Sequence, residues 1–125
     1  MSSNIFPTDK ILGRVAKEKL LGQKGVVIWL VGLSGSGKTT IAVELEKLLN
    51  ENGKLTQVLD GDNIRNGINK NLGFSDVDRT ENIRRIAEIA KLFCECGIIT
   101  ICCFVSPTTA IRRQAQEIIG KNDFL

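Results

Sequence analysis

A chain of 125 residues, 42% hydrophobic and 25% charged, has the size and make-up of one globular domain and not of a disordered, fibrous or multi-domain protein. Its net charge of +3 is scattered along the chain without a basic cluster, which argues against a nucleic-acid-binding face. The opening MSSNIFPTDK lacks the features of a secretion signal and no apolar run approaches the roughly 18 residues of a membrane span, so the expectation is a cytoplasmic protein with no membrane partner.

In chain order, residues 8–21 (TDKILGRVAKEKLL) carry an Asp near the start and spaced apolar positions, which predicts a short peripheral helix ending near Gly22. VVIWLVG at 26–32 is β-branched, too short for a helix and bounded by glycines, as a buried parallel strand should be. From Lys38 to Asn52 the spacing puts Ile41, Leu45, Leu48 and Leu49 on one helical face, with Gly53 supplying the left-handed stop. TQVLD at 56–60 predicts a second strand with DGDN at its carboxyl end, where open α/β sheets bind ligands.

Ser75 and Asp78 have the spacing of a capping box with Asp in place of Glu or Gln. They open a helix to about Cys96 that should bury Ile83, Ile86, Ala87, Ala90 and Phe93 and pair Glu81 with Arg85 and Arg84 with Glu88. Gly97 stops it, IITICCFV at 98–105 predicts a third strand broken by Ser106-Pro107, residues 109–119 predict another helix ending at Gly120, and NDFL reads as the approach to a fourth strand. The alternation implies a three-layer α/β fold with a mainly parallel, doubly wound sheet, cut before it is finished. The boundaries expected are a peripheral segment at 1–24 and an incomplete domain at 25–125.

Cys94, Cys96, Cys102 and Cys103 form no C-x-x-C pair and the chain has no histidine, so buried free thiols are expected over a zinc or redox site. On a strand, Cys102 and Cys103 point to opposite faces, as suits a strand covered on both sides.

Gly32, Gly35, Gly37, Lys38 and Thr39 complete G-x-x-x-x-G-K-[ST] between a predicted strand and a predicted helix. The stretch Gly32, Leu33, Ser34, Gly35, Ser36, Gly37, Lys38, Thr39 and Thr40 is therefore the candidate ATP site. Its backbone N–H groups and helix N-terminus cradle phosphates, Lys38 reaches the β/γ-phosphates, and the Thr39 hydroxyl ligates Mg2+. A dinucleotide fingerprint fails because Thr40 stands where its third glycine belongs. A regulatory GTPase is unlike this chain, which lacks D-x-x-G and N-K-x-D; Asn69-Lys70-Asn71-Leu72 is a near miss. Asp60 and Asp62 after the second strand read two ways, as a helix cap with a solvated carboxylate or as groups orienting a hydroxyl nucleophile or the metal's water shell. Arg65, Arg79, Arg84 and Arg85 either surround the same cleft, as forks for phosphate or sulfate, or lie on the surface.

The block DGDNIRNGINKNLGFSDVDRTENIRRIAEIAKLF, with GLSGSGKTT and FVSP, closely resembles the adenylylsulfate kinases, and the resemblance runs from about Gly25 to the last residue. It implies ATP-dependent phosphorylation of the 3′-hydroxyl of adenosine 5′-phosphosulfate in sulfate assimilation. It further implies that Lys38 and Thr39 take the ATP phosphates and Mg2+, and that Asp62, supported by Asp60, positions or deprotonates the acceptor hydroxyl. By the same resemblance Arg65, Arg79 and Asn82 hold the phosphosulfate end, and Phe74 stacks on the acceptor's adenine. Ser106 matches a serine that some members carry as phosphoserine; a substrate contact is the expectation for it, since phosphoryl transfer needs positioning more than a covalent relay. A homodimer and a fusion or coupling with ATP sulfurylase are implied partners.

Two departures stand out. Thr108 and Thr109 follow Ser-Pro where the family has an aromatic or histidine and then arginine. The family's later basic lid and donor-adenine contacts are absent, and slow turnover with weak substrate binding is the expectation without them. The competing readings are a kinase of another small hydroxyl acceptor, such as gluconate or a nucleoside, and a truncated remnant that binds nucleotide without turnover.

Overall fold

Three five-residue strands form one parallel sheet: β1 (Val26–Leu30), β2 (Thr56–Asp60) and β3 (Ile99–Cys103), in the order β1-β3-β2. The structure is a computed structural model that describes residues 11–30, 38–104 and 109–125, without the side chains of Lys38, Thr39 and Asp62. Every residue of the central strand β3 is buried, as a strand covered on both faces and flanked on both edges must be. The expected approach to a fourth strand is present as a parallel bridge from Phe124 to Val27. Leu125 N–H donates to Val27 O at 2.8 Å, and Leu125 O accepts from Trp29 N–H at 2.9 Å. Trp29 packs between Phe104 and Phe124, with ring centroids 6.2 and 5.9 Å away, which ties the added segment to β3.

The helices divide between the two faces. On one, α2 (Lys38–Glu51) lies over β3 and β2; on the other, α4 (Asp76–Glu95) lies over β1 and β3, and α5 (Thr109–Ile119) packs against α4 and adds Ala115 and Ile119 to the same core. Cys103 belongs to the α2 core with Ala42 and Ile101, whereas Cys102 belongs to the α4 core with Val27, Ile86 and Phe104, so the two thiols do face opposite layers. The sheet is thus doubly wound, as expected. Among the described residues no helix is long and apolar enough to cross a membrane.

The buried stripe of α2 differs from the sequence expectation. Ala42, Leu45 and Leu49 face the sheet, while Ile41 and Leu48 are 54% and 56% exposed. At about 100° per residue the helix is turned roughly 50° from the predicted stripe, because the small Ala42 lets its backbone come close to β3. In α4 the expected Ile83, Ile86, Ala87 and Ala90 are buried, Phe93 is partly so, and Asn82 and Cys94 join them. Gly53 and Gly97 hold φ of +76° and +84° beyond α2 and α4, a conformation that L side chains resist, which is why these helices stop where the sequence puts a glycine.

Helix α1 is shorter than predicted, Arg14–Leu21, capped by Gly22 and with no buried residue; positions 8–10 of the expected helix lie outside the described residues. Yet it is fastened to the domain by polar groups. The Arg14 fork binds Asp123 at 2.8 and 2.9 Å and the Gly25 carbonyl at 3.1 Å, and Glu18 accepts the Gly25 N–H at 2.8 Å. The buried Gln23 amide bridges the strand starts, donating to Leu55 O and Gly97 O and accepting from Leu55 N–H. The thiols follow their burial: desolvation pushes Cys94 up to about 11 and also raises Cys102. Cys96 departs from the expected buried set; it is half-buried, 4.0 Å from Lys17 Nζ.

These ion pairs predict acid lability. The Gly25 N–H and then Arg14 hold Glu18 below its ordinary value, Arg14 does the same for Asp123, and Arg84 and Arg85 hold Glu81 at about 2. Each carboxylate is harder to protonate in the folded chain than in the unfolded one, so its stabilisation is complete above the ordinary carboxylate range and drains as pH falls toward the folded value. The urea midpoint should be level near neutrality and decline from about pH 4.5 toward pH 2, with a shallower decline in Glu81→Gln. A midpoint unchanged from pH 6 to pH 3 would refute this.

Candidate functional site

Parallel pairing sets the site. Leu30 and Asp60, the last residues of β1 and β2, both pair with Cys103, the last residue of β3. The three carboxyl ends are therefore level, and at about 4.8 Å per strand the exits of β1 and β2 are about 10 Å apart across β3. The segment after β1 that contains the glycine loop leads straight into α2 at Lys38, and the acidic turn after β2 opens α3 (Gly61–Arg65). Gly32, Leu33, Ser34, Gly35, Ser36 and Gly37 lie outside the described residues, as does Ser106 beyond the end of β3. Lys38 and Thr39 are placed by backbone in the first turn of α2, followed by the exposed Thr40. That turn carries no acidic residue, so nothing there opposes an anion at the amide end of the helix dipole.

The acidic turn is built by a reciprocal cap. Asp60 Oδ1 accepts the Asn63 N–H at 2.8 Å, Asn63 Oδ1 accepts the Asp60 N–H at 3.0 Å, and Asn63 Nδ2 donates to Val58 O. Of the two roles open for Asp60, the cap is the one its carboxylate fills. Asp62 is in the first turn of the α3 that this cap fixes, at the same sheet edge as Lys38. Asn63 escaped sequence reasoning, although its three-residue spacing from Asp60 is a capping signal.

Helix α3 ends at Arg65, whose guanidinium carbon sits 4.4 Å over the ring of Phe74. The ring itself is 70% exposed. Phe74 is held by the turn into α4: Ser75 Oγ accepts the Asp78 N–H at 3.1 Å, as predicted, but the second arm of the box is different. Asp78 Oδ2 takes the Gly73 N–H at 2.8 Å and not that of Ser75, so the box closes over the residue before the aromatic ring. Ser75→Ala should cost about 1 kcal/mol, read as a lower denaturation midpoint; an unaltered midpoint would show the cap to be idle.

Arg79 and Asn82, one turn apart on α4, follow on that face; Arg79 is exposed and has no ion-pair partner among the described residues. Asn82 is buried, its Oδ1 accepting from Asn69 Nδ2 at 2.7 Å. Arg84 and Arg85, grouped with the cleft by sequence, are engaged elsewhere. Arg84 grips Glu81 with two bonds of 2.7 and 2.8 Å and reaches Glu88 at 3.9 Å, and Arg85 binds Glu81 at 2.8 Å. Glu81 lies one helical turn before both, and this local pairing takes up their forks. The fully buried Asn69 also went unseen as a site residue, because a lone Asn in a polar turn gives no burial signal. A groove of about 410 Å³ between Val43 and Leu55 lies at the opposite, amino end of β2, away from these groups.

Residues 24–125 match the family model described as adenylylsulphate kinase. The chain is 62% identical over 123 residues to an adenylyl-sulfate kinase of Phocaeicola vulgatus, covering 98% of this chain and 60% of that protein. It is 59% identical over 125 residues to one of Bacteroides fragilis, covering 99% and 62%. It thus spans about three fifths of the length of these relatives. The structure of the Mycobacterium tuberculosis APS kinase CysC in complex with AMPPNP and APS matches with a TM-score of 0.77 at 41% identity, over 82% of this chain and 60% of that one. With the family match covering both strand ends, the acidic turn and α4, the chain belongs to the adenylylsulphate kinase family.

Proposed function

We propose that this chain is the phosphate-binding and acceptor-binding part of a kinase that transfers the γ-phosphoryl group of ATP to the 3′-hydroxyl of adenosine 5′-phosphosulfate. The observation that carries the reading is the level row Leu30, Cys103, Asp60, from which a phosphate loop and an acidic turn leave the same sheet edge on either side of one strand. The loop at 32–37, the unopposed amide end of α2 and Lys38 hold the donor's phosphates. Mg2+, which the Thr39 hydroxyl would ligate, supplies neutralisation of charge on the β- and γ-oxygens. Asp62 accepts the 3′-hydroxyl proton as that oxygen attacks, and the Asp60–Asn63 cap keeps α3 in place beneath it. Ser106 contacts the acceptor.

Arg65, Arg79 and Asn82 hold the phosphosulfate. Phe74 stacks on the adenine, and magnitudes favour the exchange this requires: the exposed cation–π contact with Arg65 contributes about 0.5–1 kcal/mol, whereas a base on an aromatic ring contributes about 1–3 kcal/mol. An adenine stacked on the Arg65 side of the ring would displace the guanidinium and leave its fork for an anion. Pairing of two copies and coupling to ATP sulfurylase, which would produce the acceptor, are part of the same proposal.

A coupled assay with ATP and adenylylsulfate tests it. The expected result is 3′-phosphorylated product; no product, with gluconate or a nucleoside phosphorylated by the same preparation, would replace the acceptor. Binding of ATP without turnover of any of the three would mark a nucleotide-binding remnant.

A further inference from the structure

The turn between α3 and α4 hides a polar side chain with no access to solvent, Asn69, at 0% exposure. Its carboxamide is used at both ends: Nδ2 donates to Asn82 Oδ1 at 2.7 Å and Oδ1 accepts from Arg85 Nη1 at 3.3 Å. Arg85 is itself fixed, by Glu81 at 2.8 Å through Nε and by Asn71 Oδ1 at 2.9 Å and Ile68 O at 3.3 Å through Nη1. Glu81, held down at about 2, stays ionised through any working pH and keeps the arginine in place.

This chain of contacts has a direction. A guanidinium has donors only, so the end of Asn69 that faces Arg85 must be its oxygen. Its NH₂ then faces Asn82, and Asn82 must turn its own oxygen toward Asn69. What remains of the Asn82 amide is Nδ2, whose two N–H donors have no hydrogen-bond partner among the described residues. Reversal of Asn82 would place two carboxamide NH₂ groups face to face.

We propose that Arg85 and Asn69 are positioning residues that polarise this relay so that Asn82 presents donors, and never an acceptor, to the anionic phosphosulfate group of the acceptor substrate. The inference rests on the reading of Asn82 as an acceptor contact given above. It accounts for a costly arrangement, since a merely structural Asn69 would be replaceable by an apolar side chain without burying a carboxamide. It also explains why an arginine that sequence grouped with the anion site is instead bound to Glu81, Asn69 and Asn71.

Asn69→Asp tests the direction with almost no change of shape. The carboxylate still accepts from Arg85 but has nothing to donate, so Asn82 must reverse, donate to Asp and turn its oxygen outward. Calorimetric titration of the full chain should give adenylylsulfate binding at least about tenfold weaker, with affinity for a non-hydrolysable ATP analogue unchanged within about twofold. Side-chain amide exchange in ¹⁵N-labelled protein reads the relay without any ligand: the Asn82 NH₂ should exchange fast in the parent and slowly in Asn69→Asp. Arg85→Lys, still donor-only, should keep adenylylsulfate affinity within about threefold, whereas Arg85→Gln, which can offer either end, should lose it. Equal Asn82 exchange in parent and Asn69→Asp, or equal weakening of both ligands, would overturn the relay. If Asn82 reverses as expected while the parent binds ATP analogue and no adenylylsulfate, the relay stands and the reading of the acceptor falls.

Discussion

Asp62→Asn is expected to lower kcat by about 10²–10⁴-fold while leaving affinity for ATP within about twofold. The substitution keeps size and hydrogen-bonding reach but removes the ability to take a proton at neutral pH. The loss should therefore fall on the step in which the 3′-oxygen attacks and not on the binding of the donor. Backbone geometry supports a separation of the two. ATP phosphates belong to the loop after β1 and to the first turn of α2, whereas Asp62 belongs to α3, about 10 Å away across β3. Single-turnover rates with saturating ATP and adenylylsulfate, beside a titration with an ATP analogue, make the comparison. An undiminished single-turnover rate would remove Asp62 from the chemistry and leave orientation by the phosphate loop and the arginines as the source of catalysis.

Gly25→Ala is expected to destabilise the chain by at least about 3 kcal/mol and to abolish cooperative unfolding at 37 °C. A β-carbon at Gly25 would lie 1.9 Å from the carbonyl oxygen of Cys94 and 2.8 Å from its carbonyl carbon. Neither partner can move cheaply. Cys94 is buried in the last turn of α4, and Gly25 is pinned by Glu18 and Arg14 through its own N–H and carbonyl. Relief would have to come from drawing α4 off β1, which would open the core around Val27, Ala90 and Cys94. Thermal unfolding followed by circular dichroism decides it; a midpoint within two degrees of the parent would mean that the approach of the two backbones is not needed. A control at Gly13, the α1 N-cap, where a β-carbon meets nothing within 4 Å, should cost no more than about 1 kcal/mol.

How much of this was legible in the sequence differs from element to element. The strands at 26–30, 56–60 and 99–103 were readable because their apolar, β-branched runs are too short for helices and are bounded by glycine or polar turns. The ends of α2 and α4 were readable because only glycine takes the positive φ needed there. Opposite facing of Cys102 and Cys103 follows from the two-residue period of any strand and needed no neighbour to decide it.

The candidate site divides in the same way. Residue type and spacing along one segment were enough to mark G-x-x-x-x-G-K-[ST], the Ser75 cap and the acidic turn, since each works through atoms a few bonds apart. Strand order was not in the sequence, because it depends on which strand inserts between two others, and it is β3 between β1 and β2 that brings the two exits level. Whether an arginine serves a ligand or a neighbour was decided by what lies one helical turn away and across the chain: Glu81 takes up Arg84 and Arg85, and Asn69, sixteen residues before Arg85, turns the latter inward. The inward face of α2 was settled by the small Ala42 against β3 and not by the larger Ile41. Local chemistry is written along the chain, while the partner that satisfies a long polar side chain, or that a helix face meets, is fixed only when distant segments are packed together.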